Sequence, residues 1–349
     1  MALLMLTGCG TDKGSASEQP VEVDDAIVQL DVPQVEEGNL EHENPLTGLN
    51  DMTDEGLGKR PVAVMVNNIA AALPQYGVAE ADVIFEIPVE GNQTRLMTMY
   101  ADYTKVPKIC AVRSCRYYYP AISEGFDAIY VHWGQDGTIK EYLNSLNLTR
   151  FNGIDNTGKL FGRDKDRRNA GYSLEHTGYF DGTGLVEATK KLEMRTELSE
   201  DKKGTAFQFC ENGKEVTPTG ETCVEAYINF GAQSSTFNYD AETGKYFKLH
   251  NNNKHIDAVT EEQLAFENIF ILETSITRRD EKDRKKVDWQ GSEDAVGYYI
   301  SKGMVQKINW SKADEKSYLK FFTEDGQELV INRGKIFIAY CTKNQASFK

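Results

Sequence analysis

The chain has 349 residues, 40% of them hydrophobic, and a formal net charge of −15. That acidity excludes a nucleic-acid binder and a protein held electrostatically on anionic lipid, because both need clusters of Lys and Arg. After the N-terminus no run approaches 18 apolar residues, so no transmembrane helix is expected and the body is read as soluble.

The first element is the apolar run Ala2-Leu3-Leu4-Met5, followed by Leu6-Thr7-Gly8-Cys9, the pattern of a bacterial lipobox. Small residues before the cysteine admit a signal peptidase, and the freed Cys9 would carry acyl chains on sulfur and nitrogen, enough together for stable membrane anchoring. No Lys or Arg precedes Cys9, so residues 1–9 are read as a truncated lipoprotein signal peptide. Residues 10–59 hold thirteen Asp or Glu against only Lys13 and Lys59. Such a segment has too little apolar surface to offset chain entropy, and residues 10–43 are expected to be a disordered acidic tether.

Asn44-Pro45-Leu46-Thr47-Gly48 opens the ordered region. Arg60 to Asn68 is a near-continuous apolar run ending in two asparagines, the pattern of a strand buried on both faces. Ala81 to Glu90 and Thr94 to Tyr100, joined through Gly91-Asn92, read as a hairpin. Ile109–Arg113 and Ala128–His132 read as two further strands, with a short helix over Tyr117–Gly125 between them. Asp136 is placed to cap a helix whose Ile139, Tyr142, Leu143 and Leu146 share one face, and another helix is expected over Leu185–Met194. From Thr205 the pattern becomes short strands and turns, with hairpins at Lys302-Gly303 and Asp325-Gly326. One helix is expected at Thr260–Gln263, and the charge run Arg278–Lys286 reads as a solvated loop. The fold class is therefore α+β: an α/β domain over residues 44–204, with a mixed sheet and flanking helices, then a β-rich domain over residues 205–349.

Five cysteines remain beyond Cys9, an odd number that reads as buried thiols rather than a disulfide framework. Cys210 and Cys223 are the one pair to test for a bridge. The chain has no GxxxxGK[ST], HExxH, GxSxG or CxxC, so no metal or cofactor is expected. What remains is a constellation at strand ends: Glu86, Glu90 and Arg95, then Arg113, Ser114 and Arg116, then His132-Trp133-Gly134. Converging guanidinium groups favour a carboxylate or phosphate, and the opposing reading pairs them with Glu86 or Glu90 as sheet-edge ion pairs. His132 is the candidate general base with Glu90 as partner or acid, and Arg163, within Arg163 to Arg168 ahead of Glu175-His176-Thr177, is a further ligand candidate.

These residues resemble the YerB-like lipoproteins, a family of unknown function with an N-terminal and a C-terminal portion, found in bacteria with a single membrane. The resemblance rests on Asn44 to Gly48, Arg60 to Asn68, Pro74-Gln75-Tyr76-Gly77, Val89-Glu90-Gly91 with Thr94-Arg95, Val112 to Arg116 and His132-Trp133-Gly134. It continues through Phe237 to Asp240, His255-Ile256-Asp257, Asn268 to Ile271 and Trp310-Ser311-Lys312, covering nearly everything from residue 44. It implies a lipoprotein anchored on the extracytoplasmic face of the cell membrane and serving envelope or cell-wall processes. The first expectation is a non-enzymatic binding or accessory protein whose arginine-lined cleft holds an anionic ligand, a cell-wall polymer or an envelope protein. The alternatives are a hydrolase or transferase on wall polymers using His132, and a solute-binding lipoprotein, which would need two matching α/β lobes.

Overall fold

The strand Val62–Asn67 is wholly buried, as its apolar run predicts, and alternate side chains enter different cores. Ala63 and Met65 join one cluster, while Val62, Val64 and Val66 join another on the opposite face. In the computed structural model, which describes residues 40–146 and 148–349, this strand lies inside an 11-stranded central sheet. Val83–Pro88 and Thr94–Tyr100 form the expected antiparallel hairpin, and Thr94–Tyr100 pairs onward with Val62–Asn67. Ile129–His132 then Arg150–Asn152 extend the sheet in parallel.

On the other side of the hairpin, Ile336–Cys341 lies parallel to Val83–Pro88, and Asn268–Glu273 lies parallel to Ile336–Cys341. Gly291–Ser301, Met304–Ser311 and Lys320–Phe322 complete that side by antiparallel pairing. The portions before and after residue 204 meet in this sheet. Strands from both halves share one ladder, and the described residues all fall in one compact unit. The fold is nonetheless the mixed α+β class, with the second half rich in strands.

One face of the sheet is covered by the helix Tyr118–Gly125, which contributes Tyr118, Tyr119 and Ile122, and by Leu143 of the helix Lys140–Ser145. Pro120 fits the first turn of its helix because N–H groups there have no intrahelical acceptor. Asp136 caps the segment before Lys140–Ser145, accepting from the Thr138 N–H at 2.9 Å. The other face is covered by a second sheet that includes Glu225–Asn229, Ser234–Asp240, Lys245–His250 and Ala346–Phe348. Ala226, Ile228, Phe237 and Tyr246 of that sheet pack onto Ile84, Ile269 and Phe337 of the central one.

Several expectations are corrected. Lys108–Cys110 is a short strand of a separate three-stranded sheet, and the chain then leaves it to cross the end of Val62–Asn67. There Ala111 accepts from the Asn67 N–H and the Arg113 N–H donates to Met65. Thr260–Gln263 is not a helix: Asp257 accepts from Val259 at 2.8 Å to close a turn, and Glu261 takes φ 60°, outside the right-handed helical region. The helix from Leu185 ends at Lys191, with Glu193 at φ 49°. The Lys302-Gly303 turn is as expected, with positive φ at both residues, whereas Asp325-Gly326 returns through a single bridge, Phe322 to Glu328. Cys210 and Cys223 do not bridge to one another; with Cys110, Cys115 and Cys341 they are buried thiols that form no disulfide among the described residues. Leu40–Glu43 already belong to the folded body, since Glu43 takes Arg333 at 2.6 Å. Cys9 and the rest of the expected tether lie outside the described residues.

Asn44 to Gly48 ties the two halves together. The Asn44 side chain accepts from the Leu46 N–H at 2.9 Å and donates to Asp82 at 3.1 Å, while Pro45 accepts from Ala206 and Thr47 from Gly334. Gly48 sits at φ +69°, and a Cβ there would come within 2.9 Å of Phe209 and Arg333. Gly48→Ala is expected to lower stability by about 1–3 kcal/mol, read by thermal unfolding. An unchanged transition would show that this turn does not join the halves.

Candidate functional site

The strand ends gather most of the predicted arginines. Glu90 follows Val83–Pro88 and faces two of them: Arg95 at 3.0 Å, and Arg116, whose Nε donates at 3.0 Å to the second carboxylate oxygen. Arg95 also donates to the Ser114 carbonyl, fixing the crossing segment against the hairpin. Burial disfavours the charged Glu90 carboxylate, but Arg95 and Arg116 outweigh it and hold its pKa below the ordinary range. Arg113 pairs with the exposed Glu175 at 3.0 Å, and its Nε is buried without a partner among the described residues.

Beside them lies an aromatic platform. Arg163 stacks on Trp133 at 4.1 Å and donates to the Leu174 carbonyl at 2.7 Å. A Cβ at Gly153 would meet the Trp133 ring at 2.5 Å, so the indole needs that glycine to lie flat. Ser114 donates to the Trp133 carbonyl at 3.0 Å, and its hydroxyl is a near neighbour of Gly134. Ile154 and Leu174, 68% and 60% exposed, leave apolar side chains in water around the same surface.

Two predicted residues fall elsewhere. Glu86 lies on the opposite face of its strand, wholly buried, accepting from Asn68 at 2.8 Å, Thr94 at 2.6 Å and Ser235 at 2.7 Å. Its cation is Lys248 of the second sheet, at 3.7 Å. His132 is also wholly buried; its Nδ1 meets the Gly134 carbonyl at 2.8 Å and its Nε2 has no partner among the described residues. Burial pushes its pKa down to about 4, so it is a neutral interior imidazole, shut off from solvent and not hydrogen-bonded to Glu90. The geometry gives it no substrate proton to take.

The charge runs were harder to place from sequence. Asp164 caps the helix Lys165–Asn169, accepting from Arg167 N–H at 2.9 Å, and pairs with Lys108 at 2.6 Å. Arg167 is buried, donating to Ala72 and Pro74 and stacking on Tyr172, so it anchors a loop rather than facing solvent. His176 joins Asn67 at 3.0 Å. Arg278–Lys286 docks at the Glu90 end, where Lys285 N–H donates to Val89. Arg279 and Arg284 both pair with Asp136, and Arg284 reaches Asp280 at 2.6 Å. Burial opposes it, yet Thr138 and Arg279 hold Asp136 down at about 2. The four-residue spacing of Asp280 and Arg284 was the available signal for an organised segment.

Two profiles match this chain in series, described as "Protein of unknown function (DUF3048) N-terminal domain" over residues 46–195 and as its C-terminal domain over residues 226–338. The chain belongs to this YerB-like family. A relative from Bacillus subtilis (strain 168), named "Putative lipoprotein YerB", is 29% identical over 301 residues, 84% of each protein. The crystal structure of YerB from Bacillus subtilis superimposes with a TM-score of 0.74 at 27% identity, covering 87% of this chain and 98% of that one. In family terms, the Glu90, Arg95 and Arg116 cluster and the Trp133 platform are built from the segments that carry the resemblance.

Proposed function

We propose that this chain is a lipoprotein of the bacterial cell envelope, attached through Cys9 to the extracytoplasmic face of the membrane, and that its arginine-bearing surface binds an anionic ligand or partner. The anchoring reading is supported by the Leu6-Thr7-Gly8-Cys9 pattern and by the relative's name. Among the described residues no helix is long and apolar enough to cross a membrane.

One observation carries the binding reading: Arg113 is the partly exposed guanidinium of the cluster, held against the half-exposed Glu175 and next to the Trp133, Arg163 and Leu174 platform. Arg95 and Arg116 are committed to Glu90 and shape the site from beneath. A ligand carboxylate or phosphate would displace Glu175 from Arg113 and lie over the indole, gaining a charge-assisted bond and apolar contact. Cosedimentation of the full chain with isolated cell-wall fragments tests this. Arg113→Glu is expected to reduce binding at least tenfold with the fold intact by circular dichroism, and Glu175→Gln to increase it. Wall binding unaffected by both substitutions would end the reading. Incorporation of labelled fatty acid that Cys9→Ala abolishes is the expected result for the anchor.

A further inference from the structure

A groove runs along the edge of the central sheet, far in sequence from the arginines. One section, about 630 Å³, is floored by Tyr298, Val305 and Lys307 and closed at one end by Phe348, whose ring lies 4.8 Å from that of Tyr298. The adjoining section, about 660 Å³, shares Lys307 and Thr323 to Asp325 and continues past Asn309.

The floor is an incompletely paired edge strand. Met304–Ser311 is covered on its outer side by Glu221–Thr222 at Met304 and Val305, and by Lys320–Phe322 from Asn309 to Ser311. Among the described residues, Gln306 to Ile308 has no strand partner on that side. Alternation along the ladder from the Lys302-Gly303 turn points the Lys307 N–H and C=O outward, in register with Val305 and Asn309. An unpaired edge of this kind is a template for another strand.

The walls select what could add to it. Glu221, Glu293, Asp294, Glu324 and Asp325 are all exposed, and the register shift between Ser292 and Val296 brings Glu293 and Asp294 to the rim. Lys307 is the single ammonium among the lining residues, and Glu324 already pairs with it at 2.5 Å. Five carboxylates around a free backbone edge repel acidic segments and attract basic ones.

We infer that this groove receives an extended Lys- or Arg-bearing segment of a partner protein, added as a short strand beside Lys307, its cationic side chains on the carboxylates and an apolar one against Tyr298 and Phe348. The assignment is independent of the arginine surface. The probe is a labelled ten-residue peptide alternating Lys and Val, with the Glu and Val counterpart as control, titrated into the full chain by fluorescence anisotropy and hydrogen exchange. Saturable binding of the Lys peptide alone is expected, weakened at least tenfold by the surface triple change Glu293→Lys, Asp294→Lys and Glu324→Lys, with Lys307 amide exchange slowed at least tenfold. Absence of saturable binding, or binding indifferent to the triple change, overturns the proposal. Binding that spermidine displaces fully and that leaves the Lys307 amide unprotected overturns it too, showing a trap for small cations.

Discussion

Lys248→Ala is expected to cost about 3–5 kcal/mol of unfolding free energy at neutral pH, because it leaves the Glu86 carboxylate unpaired in the interior. Both groups are wholly buried between the central and second sheets. Burial lowers the Lys248 pKa and Glu86 opposes that shift, so the ammonium exists there chiefly through its partner. Lys248 also meets His255 Nδ1 at 3.2 Å, His255 Nε2 meets the side-chain oxygen Oε1 of Gln75 at 2.8 Å, and the Gln75 side-chain amide donates to the Asn67 carbonyl at 2.8 Å. That relay works only for a neutral His255 carrying its proton on Nε2. Urea unfolding of Lys248→Ala and Lys248→Met, of Glu86→Gln, and of the Lys248→Met, Glu86→Gln pair measures the coupling. The pair should recover most of the loss; a single-variant cost below about 1 kcal/mol would show that the ion pair does not join the sheets.

Acid should unfold this protein well before its carboxylates are all protonated. His132 and His250 are pushed down to about 4 by burial, and His255 well below its ordinary value by burial, with Lys248 adding to the shift in His255 and His250. Each is neutral when folded but binds a proton near pH 6.5 when unfolded. Stability is therefore full above pH 6.5 and declines as pH falls from there towards 4, where His132 and His250 each account for about 3 kcal/mol. Glu90, held low by Arg95 and Arg116, and Asp136, held low by Thr138 and Arg279, add losses of the same sign once pH drops below the usual carboxylate range. The sum is comparable to a domain's whole stability, about 5–15 kcal/mol. Urea titrations at pH 7.5 and 4.5 should differ by several kcal/mol, and His250→Asn should reduce that difference by about 2–3 kcal/mol. Equal stability at the two pH values would mean that the buried imidazoles titrate normally.

Local pattern carried much of the fold. The apolar run around Val64, the hairpin through Gly91-Asn92 and the Lys302-Gly303 turn follow from periodicity and backbone preference within a few residues. Long-range pairing did not follow, because nothing near Ile336 specifies that it lies beside Val83 rather than beside a strand of its own half. The candidate site divides in the same way. Glu90 and Arg95 flank one tight turn, so their meeting is local. Glu86, grouped with them by proximity along the chain, is separated from Arg95 by strand alternation: it stands opposite Leu96, whereas Arg95 stands opposite Ile87. Period two was a usable signal there. For His132, the adjacent Trp133 and Gly134 fitted a site as well as a core, and only burial decides between them.

The position of Ile336–Cys341 also sets the order in which the protein can become itself. This penultimate strand of the chain lies between Asn268–Glu273 and Val83–Pro88, with both faces in the two cores. Until it has been synthesised, the hairpin made more than 200 residues earlier has an open flank, and neither core is filled. Closure across so long a loop is slow, since its entropy must be lost before the contacts reward it. A chain of this design can complete neither core before Ile336–Cys341 has joined the sheet, so the flank of Val83–Pro88 and the apolar faces on both sides of it stay uncovered until then.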